Sequence, residues 1–211
     1  FASWFCPCPI VAVTGSNGKT TVTTLIGRVF AEAGRKVFVG GNIGRPLSDE
    51  VLMLSPEHVV VLEVSSFQLE TIDSFHPRAA VFLNISQNHL DRHADMDEYL
   101  QAKKRIFKNQ TAQDTAILNA ADPVTASLAS SLVPEVVWFN TEEQKKAAGC
   151  DNPNFLAVRA LAPVFGIDME CCNRVFDNFT GIEHRFETVR EKDGVLFIND
   201  SKATTVESGR W

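Results

Sequence analysis

Thr14-Gly15-Ser16-Asn17-Gly18-Lys19-Thr20-Thr21 is the stretch that decides the fold, and it directly follows the apolar run Ile-Val-Ala-Val at residues 10–13. A buried strand that passes through glycines into a lysine and a hydroxyl residue at the start of an amphipathic helix is typical of a phosphate-binding loop. The helix N-terminus attracts an oxyanion, Lys19 adds a full positive charge, and Thr20 can ligate Mg²⁺. The pattern predicts a triphosphate site, although Val13 stands where the strict motif has its first glycine.

The composition is that of an ordinary globular protein. Of the 211 residues, 45% are hydrophobic and 22% are charged, which is enough to bury a full core. The net charge of −6 disfavours a nucleic-acid partner, because phosphate backbones need a basic face. We expect no membrane partner either, since no apolar run approaches the ~20 residues of a membrane span. The odd count of five cysteines favours reduced thiols and a cytoplasmic location.

Apolar strand-like runs alternate with helical patterns along most of the chain. The predicted strands cover residues 10–13, 37–39, 59–64, 79–83, 115–118 and 136–139. The predicted helices cover residues 20–33, 96–107, a short stretch after Pro123, 155–165 and 170–179. This alternation predicts an α/β fold with a doubly wound, mostly parallel sheet whose strand C-termini form the site.

A different sequence pattern begins near the end of the chain. Two strands, at 186–190 and 195–198, are predicted on either side of a turn at Asp193-Gly194. We interpret them as the truncated start of a second α/β domain, too short to fold alone. The chain also opens with Phe1 rather than Met, so we expect it to be a fragment.

Polar side chains near the ends of two further strands predict a metal site. Glu63 lies near the end of a hydrophobic run, where a carboxylate is costly unless it is paired or ligated, and Mg²⁺ ligation is favoured over a salt bridge. His89 follows the next strand and can complete the site, although a lone loop histidine is more often at the surface or in packing. By periodicity alone, the basic cluster Lys103-Lys104-Arg105 is a solvated helix face.

Five segments together resemble the Mur ligase family and occur in that family's order. They are residues 14–21, Gly-Gly-Asn-Ile-Gly at 40–44, Glu-Val-Ser-Ser-Phe-Gln-Leu-Glu at 63–70, His-Leu-Asp-Arg-His at 89–93, and 99–107. The stretches 65–70, 184–187 and 197–204 are similar to the family members that add D-glutamate. The resemblance implies a P-loop-type central domain at residues 1–180 and a truncated C-terminal domain at 181–211.

The resemblance implies an ATP-dependent, ADP-forming amide ligase of peptidoglycan precursor synthesis. ATP would phosphorylate the carboxylate of UDP-N-acetylmuramoyl-L-alanine, and the amine of D-glutamate would attack the acyl phosphate. The full-length enzyme would be a monomer with small-molecule substrates. The fragment by itself is expected to be inactive, because positioning of both substrates needs the missing domains.

The resemblance also implies roles for individual residues. Lys19, Lys103 and His89 would be catalytic, with Lys19 on the β- and γ-phosphates. Thr20 and Glu63 would serve one Mg²⁺, His89 would serve the second metal position, and Lys103, which the family carbamylates, would become a carboxylate-like ligand. Nucleotide contacts are expected from Gly15, Ser16, Asn17, Gly18, Lys19, Thr20, Thr21, Asn154, Arg185 and Asp200. Substrate contacts are expected from Asn42, Ser65, Lys202 and Thr204.

Two alternatives stay open at this point. The first is another Mur or folylpolyglutamate-type ligase that adds a different amino acid. The second is a non-catalytic P-loop nucleotide-binding module, which is favoured by Asn88, since the family usually has Asp before the histidine.

Overall fold

The computed structural model describes residues 1–86, 93, 95–185 and 187–203. Its main sheet has six strands: β1 (Ile10–Thr14), β2 (Lys36–Gly41), β3 (His58–Glu63), β4 (Ala79–Phe82), β5 (Thr115–Asn119) and β6 (Glu135–Phe139). They lie in the order β2-β3-β1-β4-β5-β6, and every neighbouring pair is parallel. The predicted parallel α/β fold is therefore confirmed.

The α-helices connect these strands. They are α1 (Lys19–Glu32), α2 (Leu47–Glu50), α3 (Ser66–Glu70), α4 (Met96–Lys104), α5 (Pro123–Ser127), α6 (Glu142–Ala148), α7 (Pro153–Leu161) and α8 (Met169–Asp177). The Asp95 side chain accepts a hydrogen bond from the backbone N–H of Glu98, so it caps α4 as predicted. The helix predicted over 96–107 ends earlier as an α-helix, and its last turn, Arg105–Phe107, is a 3₁₀ helix.

Helix α6 lies in a polar segment in which the sequence predicted only surface. The Thr141 side chain caps its N-terminus. Acidic residues occupy its first turn and lysines its last, an arrangement that complements the helix dipole. None of its residues is buried, so the segment does lie at the surface, where capping and charge rather than an apolar face stabilise a helix.

Both faces of the sheet are covered, which explains the nearly continuous hydrophobic strands. Alternate strand residues such as Ala12, Leu62 and Phe82 belong to one buried cluster, together with Ile106 and Phe107. Residues of the opposite parity, such as Val11 and Val61, are fully buried as well. Helix α1 covers this second face of the sheet at β1, β2 and β3. Helix α7 contacts α1 and also the strands β5 and β6.

The strand order places a topological switch point beside β1. From β1 the chain proceeds to β2 and β3 on one side, and then crosses to β4 on the other. Loops at the carboxyl ends of β1, β3 and β4 therefore converge, which is where open α/β sheets bind ligands.

The chain divides into two compact units, Phe1–Phe176 and Asp177–Trp211. The second unit contains an antiparallel hairpin of β7 (Glu187–Lys192) and β8 (Val195–Asn199). Its turn residues Asp193 and Gly194 both have positive φ, as a tight hairpin turn requires. Among the described helices, none combines the length and apolar character needed to cross a bilayer.

Candidate functional site

The loop between β1 and α1 is compact, because Gly18 lies close to Asn154 and the Lys19 side chain bends back over the loop. Gly18 is the N-cap of α1 with φ of 82°, and a Cβ atom there would lie 2.5 Å from Oδ1 of Asn154. The Lys19 ammonium bends back over the loop and donates to the carbonyl oxygens of Gly15 and Ser16, both at 2.9 Å. The positive charge therefore lies over the loop at the N-terminus of a helix, where phosphate groups bind.

The Glu63 carboxylate lies beside this loop at the end of β3. Strand pairing sets Glu63 against Val13 of β1, and its side chain is only 2% exposed. Its Oε2 accepts a 2.8 Å hydrogen bond from the Thr20 hydroxyl, and its Oε1 accepts one from Nδ2 of Asn42, also at 2.8 Å. Gly41, with φ of 101°, passes so close that a Cβ atom would collide with the Glu63 carbonyl oxygen.

The Lys103 amine reaches the same place from α4. Lys103 is 1% exposed, and its Nζ donates to the Gly15 carbonyl oxygen at 3.0 Å. Burial lowers the pKa of Lys103 well below its ordinary value, and the charge of Lys19 lowers it further, while the Glu63 carboxylate acts in the opposite direction. The next residue, Lys104, is half-buried, as expected from the rotation of about 100° per helical residue.

The donor set fits a magnesium ion bound together with phosphate. Thr20 Oγ1 and the two oxygens of Glu63 are hard ligands, which Mg²⁺ prefers. The hydrogen bonds that Glu63 accepts come from uncharged side chains, so its buried charge is one that a cation would offset. Within the described ranges, no group of three or more His, Cys, Asp or Glu residues can hold a metal. In Mg²⁺ sites one or two protein ligands are usually completed by phosphate and water.

Other predicted residues of the first unit lie in or beside the same loop, while Ser65 lies at the N-cap of α3. Ser16 shares a 3.3 Å hydrogen bond with Tyr99 Oη, and Thr21 belongs to the first turn of α1. Asn154 is the second residue of α7 and approaches Gly18. Ser65 caps α3, and its hydroxyl donates to Gln68 Oε1 at 3.1 Å, so a substrate would compete with this capping box.

Three of the predicted residues that the structure describes lie in the second unit. There the backbone N–H of Lys202 donates to the His184 carbonyl oxygen, and the N–H of Arg185 donates to Ile182. The carbonyl oxygen of Asp200 accepts from Ala203. His89 and Thr204, which the sequence also assigned to the site, lie outside the described residues.

Two residues at the site were not among the predicted set. Tyr99 is fully buried, its ring centre lies 4.7 Å from Lys103 Nζ, and burial raises the pKa of its hydroxyl. Asn84 follows β4 directly and binds the backbone of the phosphate loop. Its position immediately after a hydrophobic strand, next along the chain from the strand of Glu63, is the signal that sequence analysis could have used.

Comparison with known proteins gives one family and close relatives. The family description Mur ligase middle domain matches residues 13–156. The chain is 42% identical to the UDP-N-acetylmuramoylalanine--D-glutamate ligase of Pelotomaculum thermopropionicum, over 98% of this chain and 52% of that protein. It is 43% identical to the ligase of the same name from Citrifermentans bemidjiense, with the same two coverages. The chain thus spans about half the length of the curated relatives it matches.

Solved structures share the fold at lower identity. The chain matches MurF from Acinetobacter baumannii with a TM-score of 0.73 at 22% identity, covering 94% of this chain and 52% of that one. It matches MurF ligase from Thermotoga maritima, solved in complex with ADP, with a TM-score of 0.72 at 19% identity, covering 94% of this chain and 55% of that one. These similarities concern the fold alone.

Proposed function

This chain belongs to the Mur ligase family, and on that premise we propose that it carries the nucleotide site of an ATP-dependent amide ligase. The reaction would join D-glutamate to UDP-N-acetylmuramoyl-L-alanine and release ADP and phosphate. The names of the curated relatives support this choice of substrates. Residues 1–180 would form the central domain, and residues from 181 onward would begin the C-terminal domain that contributes Arg185, Asp200, Lys202 and Thr204.

One observation carries the proposal: the phosphate loop has a buried amine at its Gly15 carbonyl oxygen and a buried carboxylate at Thr20, in the helix that follows it. Lys19 and Lys103 both donate to the Gly15 carbonyl oxygen. Thr20, in the first turn of the adjoining helix, donates to Glu63. A cationic loop beside a carboxylate fits a nucleoside triphosphate, because the lysine and a divalent cation held by the carboxylate would together offset the negative charge of the phosphates.

The protein's own residues would position the reacting groups. Lys19 and the start of α1 would hold the β- and γ-phosphates, Thr20 and Glu63 would hold one Mg²⁺, and His89 would serve a second metal position. When bound, Mg²⁺ would offset phosphate charge as phosphoryl transfer proceeds. The substrate carboxylate, with Asn42 and Ser65 beside it, would attack the γ-phosphorus, and the bond to the β-phosphate oxygen would break. The D-glutamate amine would then form the C–N bond, lose a proton and displace phosphate.

Lys103 is suited to carbamylation because its buried position favours the neutral amine relative to the ammonium. Burial lowers the pKa of Lys103, which raises the fraction of amine with a free lone pair. Attack of this nitrogen on carbon dioxide forms an N–C bond and releases a proton. The product carries a carboxylate in place of an ammonium, directly beside the loop at Gly15.

Two measurements test the proposal. Calorimetric titration of the 211-residue chain with ATP and Mg²⁺ should show binding at one site, and absence of binding would overturn the nucleotide assignment. Turnover should be assayed on the longest natural protein that contains this chain, with UDP-N-acetylmuramoyl-L-alanine and one amino acid at a time. Amide product is expected only when the amino acid is D-glutamate. Product with a different amino acid would favour another ligase of the family, and binding without turnover would favour a non-catalytic module.

A further inference from the structure

Asn84 bridges the phosphate loop to the end of β4 through its side chain. Its Oδ1 accepts a 2.9 Å hydrogen bond from the backbone N–H of Asn17, and its Nδ2 donates to the carbonyl oxygen of Asn17 at 3.1 Å. Both polar ends of one amide therefore bind both polar groups of one loop residue. The backbone oxygen of Asn84 also accepts from the N–H of Ser16 at 3.0 Å.

The next residues of the same segment extend this contact. The N–H of Ser86 donates to Ser16 Oγ at 2.9 Å, and Ser16 Oγ lies 3.2 Å from the Ser86 carbonyl oxygen. The loop residues that contact this segment lie about 70 positions earlier in the chain. Contacts of that separation form only when β4 lies beside β1, so the phosphate loop acquires this support from the fold rather than from its own sequence.

These contacts also engage two of the backbone N–H donors of the loop. The N–H groups of Ser16 and Asn17 point to Asn84 rather than into the loop. Phosphate contacts would then come from the turn from Gly18 to Thr21, at the N-terminus of α1, where the helix dipole attracts an anion. The orientation of that turn depends on how Asn17 is held, because Asn17 directly precedes it.

We infer that Asn84 is a positioning residue that holds the phosphate loop in its binding conformation before nucleotide arrives. The inference rests on the proposed nucleotide site. A ligand that binds only the ordered loop has its apparent affinity reduced by the fraction of chains in which the loop is ordered. Loss of two hydrogen bonds would lower that fraction, and hence ATP affinity, by about ten- to a hundred-fold.

The test compares Asn84→Ala with Asn109→Ala. Asn109 is a matched control because its Nδ2 also binds backbone oxygens, those of Asp73 and Phe75, at 2.6 and 2.9 Å. Both variants should melt at similar, slightly lowered temperatures. Only Asn84→Ala should weaken ATP binding in a calorimetric titration. Equal ATP affinity in the two variants would overturn the inference.

A second readout needs no nucleotide and so stays informative even if the proposed function fails. Amide hydrogen exchange, followed by NMR on the unliganded chain, should be about ten-fold or more faster at Asn17 in Asn84→Ala and unchanged there in Asn109→Ala. If Asn84→Ala does not fold, Asn84→Ser replaces it, since the shorter side chain cannot bind both the N–H and the carbonyl oxygen of Asn17. That variant should also speed exchange at Asn17 and weaken ATP binding. Unchanged exchange at Asn17, or unchanged ATP affinity, in the variant that folds would overturn the inference.

Discussion

The hydroxyl of Thr20 donates a 2.8 Å hydrogen bond to the carboxylate of Glu63, although 43 positions separate the two residues in the chain. The contact joins the first turn of α1 to the end of β3 and brings two oxygen-bearing side chains, of the type that Mg²⁺ prefers, together beside the phosphate loop. Strand pairing between Val13 and Glu63 makes it possible.

Lys19→Ala should abolish ATP binding, or weaken it by at least about a hundred-fold, because it removes the cation that lies over the loop. Calorimetric titration with ATP and Mg²⁺ measures the loss. Lys36→Ala is the control, since Lys36 is exposed and pairs with Glu57 at the start of β2. Wild-type affinity in Lys19→Ala would contradict the assignment of this lysine.

Glu63→Gln should remove the dependence of nucleotide affinity on Mg²⁺. The amide keeps the size of the side chain and can still bond to Thr20 and Asn42, but it lacks the charge that a cation requires. Titrations of ATP with and without Mg²⁺ give the dependence as a ratio of affinities. Glu57→Gln, at an exposed position, should leave the ratio unchanged. A Glu63→Gln ratio equal to that of the wild type would show that the carboxylate holds no Mg²⁺.

Gly18→Ala should weaken nucleotide binding as well as stability. A side chain at φ of 82° costs about 1–2 kcal/mol, and its Cβ would also displace the Asn154 side chain. Gly34→Ala isolates the backbone cost, because Gly34 has φ of 75° and no described atom comes within 4 Å of the place its Cβ would take. Denaturant unfolding should show a loss of stability in both variants that is larger in Gly18→Ala, while ATP binding should weaken only in Gly18→Ala. Equal ATP affinity in the two would mean that contact with Asn154 is unimportant.

Lys103→Met should remove a rise of stability with pH. The folded-state pKa of Lys103 lies below its ordinary value of 10.5, so between these values the unfolded chain binds more protons. The free energy of unfolding therefore increases with pH in that window, by at most about 1.4 kcal/mol per pH unit. The substitution removes this contribution, so the advantage of Lys103→Met over the wild type should shrink as pH rises.

Urea unfolding between about pH 6 and pH 8.5 measures this difference. The range stays below the ordinary pKa of 9.0 for the Cys8 thiol, whose folded-state pKa burial raises to about 12. Above that range, ionisation of Cys8 in the unfolded chain would lower stability and mask the effect. Lys104→Met, one residue along the helix, is the control. Parallel stability curves for wild type and Lys103→Met would contradict the prediction.

The sequence by itself determined the strands of the main sheet and the chemistry of the phosphate loop. Alternation of apolar runs and helical patterns depends on local periodicity, and the strands at 10–13 and 79–83 fall within a residue of β1 and β4. The residues of this loop lie in one short stretch of chain, so their arrangement follows from local geometry; they are Gly15, Gly18, Lys19 and Thr20. Glu63 was also predictable, because a carboxylate near the end of a hydrophobic strand requires a partner.

Only the tertiary structure decided which distant residues meet that loop. By periodicity the basic cluster of α4 is a solvated face, yet Lys103 is buried against Gly15, 88 positions away. Asn84 reaches Asn17 for the same reason, because β4 lies beside β1. Periodicity reports the face of an element and not its neighbours, whereas strand order is set by packing of the whole sheet. The burial of Lys103 and the support of the loop therefore depend on the fold as a whole.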